Sequence, residues 1–473
     1  KHSFVTHMAA ATSSPSKRRT DGGEEPSEHR ADFISDLPDE VLGTIVSLLP
    51  TKDGSRTQAL SRRWRPIWLS APLNLEADRG FSEQVVSKIL SSHLGPARRI
   101  FLTRIRRLPC RYQTDDDGRT NGWLTPRDLA NLQELELVLR FDCRRNSLPP
   151  SVFRLAPALR VASFGLCRLP PNLAVDFPHL KQLTLHMVTF TQETLSAVLY
   201  GCPALESLLL DQNAGVARVC VSSPTLRSIG FCALWYKGVV AGTVNVQEMV
   251  IEDAPCLERL LQLNPDYGPK TIRVIWAPKL KILGSLSKGT LQLHLRTTVF
   301  QKMIAVSLTT RMRTVKVLVL DDFSHGLDQA LDFLKCFPCL ERLYVTLELC
   351  RKMDNVRKYG SPDYPTECLE LHLKKVALKV YYGEGPEVDF ARFFILNAKV
   401  LEKMEFGLVG GHDDKWWHNK YRKLQVEYRA SRDARIEFKR FSTDASRDNK
   451  KLTHDLSLAD PFDISFLDGY VTI

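Results

Sequence analysis

No run of about 18 apolar residues occurs in the 473-residue chain, so the sequence offers no helix able to cross a membrane. Its first residues, KHSFVTHMAAATSSPSKRRT, lack the apolar centre of a secretion signal, and the chain does not begin with methionine, which makes Met8 a candidate start. Eleven cysteines are scattered without paired spacing. With no export signal they are expected to be reduced core thiols rather than disulfides. Cys336 and Cys339 make the one CxxC, but no second pair or histidine cluster completes a zinc site. The common catalytic signatures are missing too. There is no G-x-S-x-G elbow. Gly284 and Gly289 have phosphate-loop spacing, but Thr290 stands where the lysine belongs. Asp115-Asp116-Asp117-Gly118 lacks the spaced oxygens and closing glutamate of a calcium loop. His412-Asp413-Asp414 with His418, beside Trp416-Trp417, reads as a loop rather than a metal cluster, because ligands need a scaffold that fixes them. No catalytic site, metal or cofactor is expected, and the chain is not expected to be an enzyme.

What is present is an ordinary folded composition, 44% apolar and 25% charged, in a chain long enough for several structural units or a repeat array. A net charge of +11 invites a nucleic-acid reading. The basic residues are spread along the whole chain, however, and no recognition helix or basic-aromatic strand appears, which argues against that partner. Residues 1–31 are poor in large apolar side chains and rich in Ser, Glu and Arg, the composition of a disordered tail. Ser16-Lys17-Arg18-Arg19 within it is a short basic run of the kind read by nuclear import, and cytoplasm and nucleus are the compartments expected.

The stretch Asp32 to Leu75 holds two apolar helical stripes. Between Pro38 and Pro50, Val41, Leu42, Ile45, Val46, Leu48 and Leu49 recur at helical spacing. Asp36 is placed to cap this helix, Pro38 suits its first turn and Pro50 ends it. In a second helical run, with Thr51 or Asp53 as cap, Leu60, Trp64 and Trp68 fall four apart while Arg56, Arg62, Arg63 and Arg65 take other positions. About 45 residues bury too little to stand alone, so the unit is expected to complete its core against the following chain or a partner.

Beyond it one phrase returns: an apolar residue, two others, an apolar residue, one other, an apolar residue. It reads Leu132/Leu135/Leu137, Leu159/Ala162/Phe164, Leu180/Leu183/Leu185, Leu205/Leu208/Leu210, Leu226/Ile229/Phe231, Val315/Leu318/Leu320, Leu340/Leu343/Val345, Leu373/Val376/Leu378 and Leu401/Met404/Phe406, with Val246/Met249/Ile251 a further copy. The first four steps are 27, 21, 25 and 21 residues, within the roughly 20 to 29 of leucine-rich repeats. Leu257/Leu260 and Leu280/Leu283 are degenerate, because Gln262 and Ser285 fall at the third position, and the register between 246 and 313 is open. Thr290 to Arg313 is a longer excursion expected to add a strand and a helix. Phe81 to Arg107, with VVSKILSSHL before IFLTRI, reads as an irregular capping unit, and Tyr112 to Gly122 as a polar loop.

In such an array the alternating apolar residues sit on short parallel strands and point inward, while their neighbours face the concave surface. Glu134, Glu136, Gln182, Thr184, His186, Ser207, Leu209, Asp211, Arg342, Tyr344 and Thr346 are therefore the candidates for touching a target. The end of the chain changes character from about Tyr364. A helix is expected over Val388–Leu401, a strand over Leu401–Leu408 and a second helix over Tyr421–Ser431, together covering the open end of the array.

The order Leu37-Pro38-Asp39-Glu40-Val41-Leu42, Ile45, Leu48, Leu49-Pro50, then Leu60-Ser61-Arg62-Arg63-Trp64-Arg65 and Trp68, resembles the F-box. Cys368-Leu369, His372-Leu373-Lys374, Phe390, Phe393-Phe394, Leu396-Asn397-Ala398, Leu401, Met404, Arg429-Ala430-Ser431 and Phe438 resemble the FBD domain. The whole resembles plant, grass-type F-box/FBD/leucine-rich-repeat proteins. That resemblance implies an α/β chain: a helical F-box (32–75), a leucine-rich-repeat solenoid (76–363) whose parallel sheet lines a curved array, an FBD-type α/β unit (364–441) and a C-terminal tail (442–473). It further implies a Skp1-type adaptor, and through it a cullin, as partners within a ubiquitin ligase. Leu37, Pro38, Val41, Leu42, Ile45, Leu60, Ser61, Trp64 and Trp68 match the positions that form or support the adaptor contact. The target protein stays unnamed. The alternative is a repeat scaffold for protein interaction that never reaches a ligase, with the first helices serving as a solenoid cap.

Overall fold

The first helix shows how the amino end is attached. In the computed structural model, α1 (Asp39–Ser47) turns Leu42 and Val46 fully inward, and they join the same apolar core that runs through the array behind them. The structure describes residues 33–34, 36–78, 81–103, 130–138, 148, 150–153, 157–233, 244–264, 267–323, 326–347, 367–383, 385–408, 414–441, 448–463 and 466–470. The expectations for the first 31 residues, for the loop 112–122 and for His412-Asp413 lie outside them.

The second helical run is broken. It forms α2 (Thr51–Arg56), a short 3-10 turn, and α3 (Trp64–Ser70). Neither α1 nor α2 has a side-chain cap; the N-cap residues are Pro38 and Pro50, which corrects the capping expected of Asp36, Thr51 and Asp53. Thr51 is used elsewhere. Its hydroxyl donates to Asn74 O and accepts from Glu76 N, both at 2.7 Å, tying α2 to β1 (Leu73–Ala77). Because β1 is the first strand of the main sheet, helices and sheet share one rigid joint.

Strands β1, β2 (Ala97–Thr103), β3 (Glu134–Val138), β4 (Val161–Gly165), β5 (Gln182–His186) and β6 (Ser207–Asp211) lie side by side in parallel. A helix, α4 (Glu83–Ser92), connects the first two, capped by Ser82. The chain then alternates between two sheets: β7 (Arg218–Ser222), β9 (Glu248–Asp253), β11 (Thr271–Val274) and β13 (Gln292–Leu295) form a second sheet. Between them β8 (Ser228–Cys232), β10 (Arg259–Gln262) and β12 (Ile282–Leu286) continue the first. Hairpin strands β14 (Thr298–Gln301) and β15 (Ile304–Ser307) close the second sheet. The first runs on through β16 (Val317–Phe323), β17 (Arg342–Leu347), β18 (Lys375–Tyr381), β19 (Lys403–Leu408) and β20 (Arg435–Phe441), and ends on antiparallel β21 (Phe466–Tyr470).

The repeat phrase places these strands as a parallel solenoid requires, and its apolar positions are buried along the array. Val246/Met249/Ile251 departs from the expectation, lying in the second sheet. The degenerate copies are regular strands of the first, and Gln262 and Ser285 are buried in it. The excursion adds two antiparallel strands beyond β13, not a strand and a helix. At the carboxyl end the helices run from Gly385 to Asn397 and from Asp414 to Leu424, earlier than expected. The FBD-like strands extend the sheet rather than covering its end.

Turns after the concave strands are fixed by a repeated device. Leu166, Met187 and Gln212 take left-handed backbone immediately after β4, β5 and β6, each donating its N–H to the next strand's last carbonyl. Buried Asn213 accepts from Val188 N and donates to Leu185 O, both at 2.9 Å. These bonds satisfy backbone groups that would otherwise be stranded inside the solenoid.

Candidate functional site

Two surfaces hold the residues singled out from sequence. The first is a ridge on the helical unit. Val41 and Ile45, with Leu48 just past its end, line the side of α1 next to that of Leu42 and Val46, about 110° round the helix. They are 42%, 41% and 72% exposed, and the same helical unit also exposes Leu60 at 67%, Phe33 at 78% and Ile34 at 57%. The wide stripe in the sequence is thus two stripes side by side, one sealed and one partly exposed. Burying a large apolar side chain is worth roughly 1.5–3 kcal/mol, so a cluster of this kind is a strong attachment point.

The expected contact residues divide accordingly. Pro38 and Ser61 are exposed, Leu37 and Trp64 are half-buried against the core, and Leu42 and Trp68 are sealed. Those two can act only from behind the surface. The Trp68 ring lies over Gly54, where a Cβ would come within 2.4 Å of its Cζ3, and meets His93 edge-on at 5.5 Å. His93 donates from Nε2 to Ala71 O at 2.7 Å, and burial pulls its pKa down, so the ring is a neutral brace. Arg63 clasps the start of α1, donating to Asp39 Oδ1 at 2.8 Å and to Leu37 O. Leu48, Phe33 and Ile34 are missing from the expected set. Leu48 sat in the sequence pattern, but periodicity did not say which half of the stripe was outward.

The second surface is the concave face of the first sheet, and it is occupied. Residues 448–463, part of the expected tail, cross it from β3 towards β18. Lys450 Nζ donates to Glu136 Oε2 at 2.8 Å. The His454 ring is bracketed by Thr184 Oγ1 at 2.8 Å and Ser207 Oγ at 2.7 Å, while Gln182 donates to its carbonyl at 3.4 Å. Arg259 donates to Asp455 O at 2.8 Å, Leu456 O at 3.0 Å and also Leu458 O. Asp460 Oδ2 accepts from Arg342 at 3.0 Å and Tyr344 OH at 2.8 Å, and Asp463 accepts from Lys375. Leu452 and Phe462 pack with Leu209, Leu261 and Tyr344 in a separate apolar cluster.

Most of the candidate target residues are thus in this strap's contact. The others pair with their neighbours: Glu134 with Arg99 at 2.8 Å, His186 with Asp211 at 2.8 Å and Thr346 with Asp321 at 2.7 Å. Sequence reasoning missed the basic end of the face. Lys375, Lys403 and Lys439 surround Glu405, at 2.7, 3.5 and 2.8 Å. Burial works against the Glu405 carboxylate, but hydrogen bonds from Lys375 and Lys439 hold its pKa below the usual range. The signal was there in the alternate polar positions, Lys375 and Lys379 on β18, Lys403 and Glu405 on β19, and Glu437 and Lys439 on β20.

Cys339, Glu367 and His372 come together closely enough to share a metal ion, a grouping the CxxC reading did not foresee. Arg313 already occupies that place, donating to both Glu367 oxygens at 2.7 and 3.0 Å and to Cys339 Sγ at 3.8 Å, and a cation would have to displace a guanidinium. Cys336 is buried, its thiol pushed up to about 12 by desolvation. The described cysteines are all unpaired thiols.

Family models match three stretches in chain order: F-box domain over residues 34–76, "FBD-associated F-box protein At5g56370, LRR repeats" over 120–345 and FBD over 361–406. Among relatives in Arabidopsis thaliana, F-box/FBD/LRR-repeat protein At2g26030 is 26% identical over 418 residues, 79% of this chain and 91% of the relative. F-box/FBD/LRR-repeat protein At3g26920 is 24% identical over 410 residues, 81% of this chain and 91% of the relative. F-box/LRR-repeat protein At3g03360 is 29% identical over 259 residues, 52% of this chain and 53% of the relative. For that protein and two other relatives the match takes in only about two fifths to half of the relative's own length, at 53%, 39% and 38%. A helical unit joined to a parallel solenoid, three models in one order and relatives of the same build lead to one conclusion: the chain belongs to the plant F-box/FBD/leucine-rich-repeat proteins.

Proposed function

We propose that this chain is the substrate-recognition subunit of an SCF-type cullin-RING ubiquitin ligase. The helical unit, taken as residues 32–75, seats a Skp1-like adaptor and through it a cullin. The solenoid and the FBD-type unit hold a target protein on the concave face. The chain itself breaks and makes no bonds. Its contribution is effective concentration, holding a target beside enzymes carried by other subunits, in cytoplasm or nucleus.

The observation that carries this reading is the outer stripe of α1. Val41 and Ile45, 42% and 41% exposed, and Leu48 at the helix end, 72% exposed, present apolar surface beside a stripe locked into the solenoid core. A cap built only to close a solenoid would turn its apolar side chains inward. Among the described residues no helix is long and apolar enough to cross a membrane, so a bilayer-spanning role does not account for the stripe.

The test uses the outward residues, because replacing them leaves the packing intact. Ile45→Asp with Leu48→Asp is expected to abolish co-purification with a co-expressed Skp1-like adaptor while the circular dichroism and melting profile stay those of the unaltered chain. Undiminished co-purification would remove the ligase assignment.

A further inference from the structure

Residues 448–463 are held in an unusual way for a structural element. Between its short helix (Asn449–His454) and Asp463, the strap forms no ladder with the concave sheet. Side chains on the sheet grip it instead, several through its carbonyl oxygens and two carboxylates. Only Leu452 and Phe462 anchor it in the apolar cluster. This is how a groove holds a peptide.

Two features give the groove its selectivity. Near the middle, β8 presents Gly230, where a Cβ would come 2.1 Å from Thr453 Oγ1, so the strap lies directly on backbone. At the far end Asp460 and Asp463 meet Arg342 and Lys375 on either side of Phe462, whose ring lies 6.4 Å from that of Tyr344 and 5.3 Å from Lys379 Nζ. The end pocket thus reads carboxylate, aromatic ring, carboxylate.

We propose that residues 448–463 are a built-in occupant of the target groove, and that the external ligand of this face is a protein segment with an aromatic residue between two acidic ones that displaces the strap. The ligand's identity as a ligase target rests on the function proposed above; the competition does not. A tethered occupant acts at an effective concentration of order millimolar, so a free segment binds only in proportion to the fraction of molecules whose strap is open. Peptides of moderate affinity are turned away, and long or multivalent targets are admitted.

The test uses the full chain and, as probe, a fluorescent synthetic peptide of residues 448–463 with a scrambled control. Asp460→Ala with Phe462→Ala weakens the resident strap and leaves the groove whole; this variant is expected to bind the peptide at least about tenfold more tightly than the unaltered chain. Gly230→Val fills the groove floor and is expected to abolish binding in that background. Equal affinity for the unaltered chain and the strap variant, or binding of the scrambled peptide as well, would overturn the proposal. Amide exchange on the unaltered chain keeps the question decidable even if a variant misfolds: strap amides should exchange at least about tenfold faster than those of β6 and β8, and equal protection would mean a permanent element. Adaptor co-purification separates the two ideas. Failure of the unaltered chain to co-purify with the adaptor, alongside intact peptide competition, removes the ligase reading only; adaptor co-purification of the unaltered chain with no competition removes the strap.

Discussion

On α1, Val41, Ile45 and Leu48 lie in water, whereas on the concave sheet Thr184, Ser207, Arg259, Arg342 and Tyr344 lie under residues of the same chain. The difference follows from chemistry. An apolar ridge gains only by losing water, and the surrounding chain offers it no cover. A polar groove can be satisfied equally by a strap, a ligand or solvent, so its occupant can be exchanged with little net change in hydrogen bonding. The ridge therefore suits a lasting partner and the groove an exchangeable one.

The sharpest test of that division is on α1 itself. Leu42→Ala removes a fully buried side chain and should cost about 2–5 kcal/mol of stability, seen as an earlier urea transition followed by tryptophan fluorescence. Ile45→Ala, three residues further on and on the partly exposed stripe, should change stability by no more than about 0.5 kcal/mol and act on adaptor binding instead. Equal destabilisation by both would mean that α1 has one buried face and no outer ridge.

A smaller effect is expected in the groove. Arg259 is buried on the sheet and serves three strap carbonyls at once, so Arg259→Ala should weaken strap docking by about 1–3 kcal/mol. Limited proteolysis between residues 448 and 463 should accelerate, while the solenoid stays resistant. Unchanged cleavage would show that the Arg259 bonds add nothing to the hold of the other strap contacts.

Some of this was legible in the sequence and some was not, for definable reasons. The phrase of three apolar positions placed the concave strands because its apolar residues fall two apart on the strands and point into the core. It misassigned Val246/Met249/Ile251 because β9, in the second sheet, carries the same alternation, and periodicity does not say which sheet a strand joins. The hairpins beyond β13 were hidden for another reason. Their turns use Arg296, Lys302 and Met303 in left-handed backbone, without the glycine or asparagine that normally announces such a turn. Gln262 looked like a broken repeat, yet it is satisfied inside the solenoid, accepting from Thr290 Oγ1 at 3.4 Å. The strap left no local trace: Leu452, Leu456, Leu458 and Phe462 follow no sustained helical or strand period, and the partners of Leu452 and Phe462 lie far away in the chain.

A further expected effect is a pH response of the groove that the ridge should lack. Burial draws the His454 pKa down to about 4, with Lys450 adding to the fall and Asp448 opposing it. The sheet groups bonded to the ring, Thr184 and Ser207, carry no charge, and neither does Gln182, which donates to the His454 carbonyl. A released His454 titrates near its ordinary value of 6.5, so above that pH docked and released straps bind the same protons and docking is constant. Below it the released form takes up a proton that the docked form refuses, and docking weakens by up to about tenfold per pH unit until pH 4. Asp463 does not blur this window. Burial opposes its ionisation, but the bond from Lys375 outweighs that and keeps its pKa below 3.8, so its contribution is lost only at lower pH. Amide exchange of the strap should therefore quicken, relative to that of β6, as pH falls from 7 to 5. His454→Gln should flatten the response, and a response that persists in that variant would locate the titrating group elsewhere.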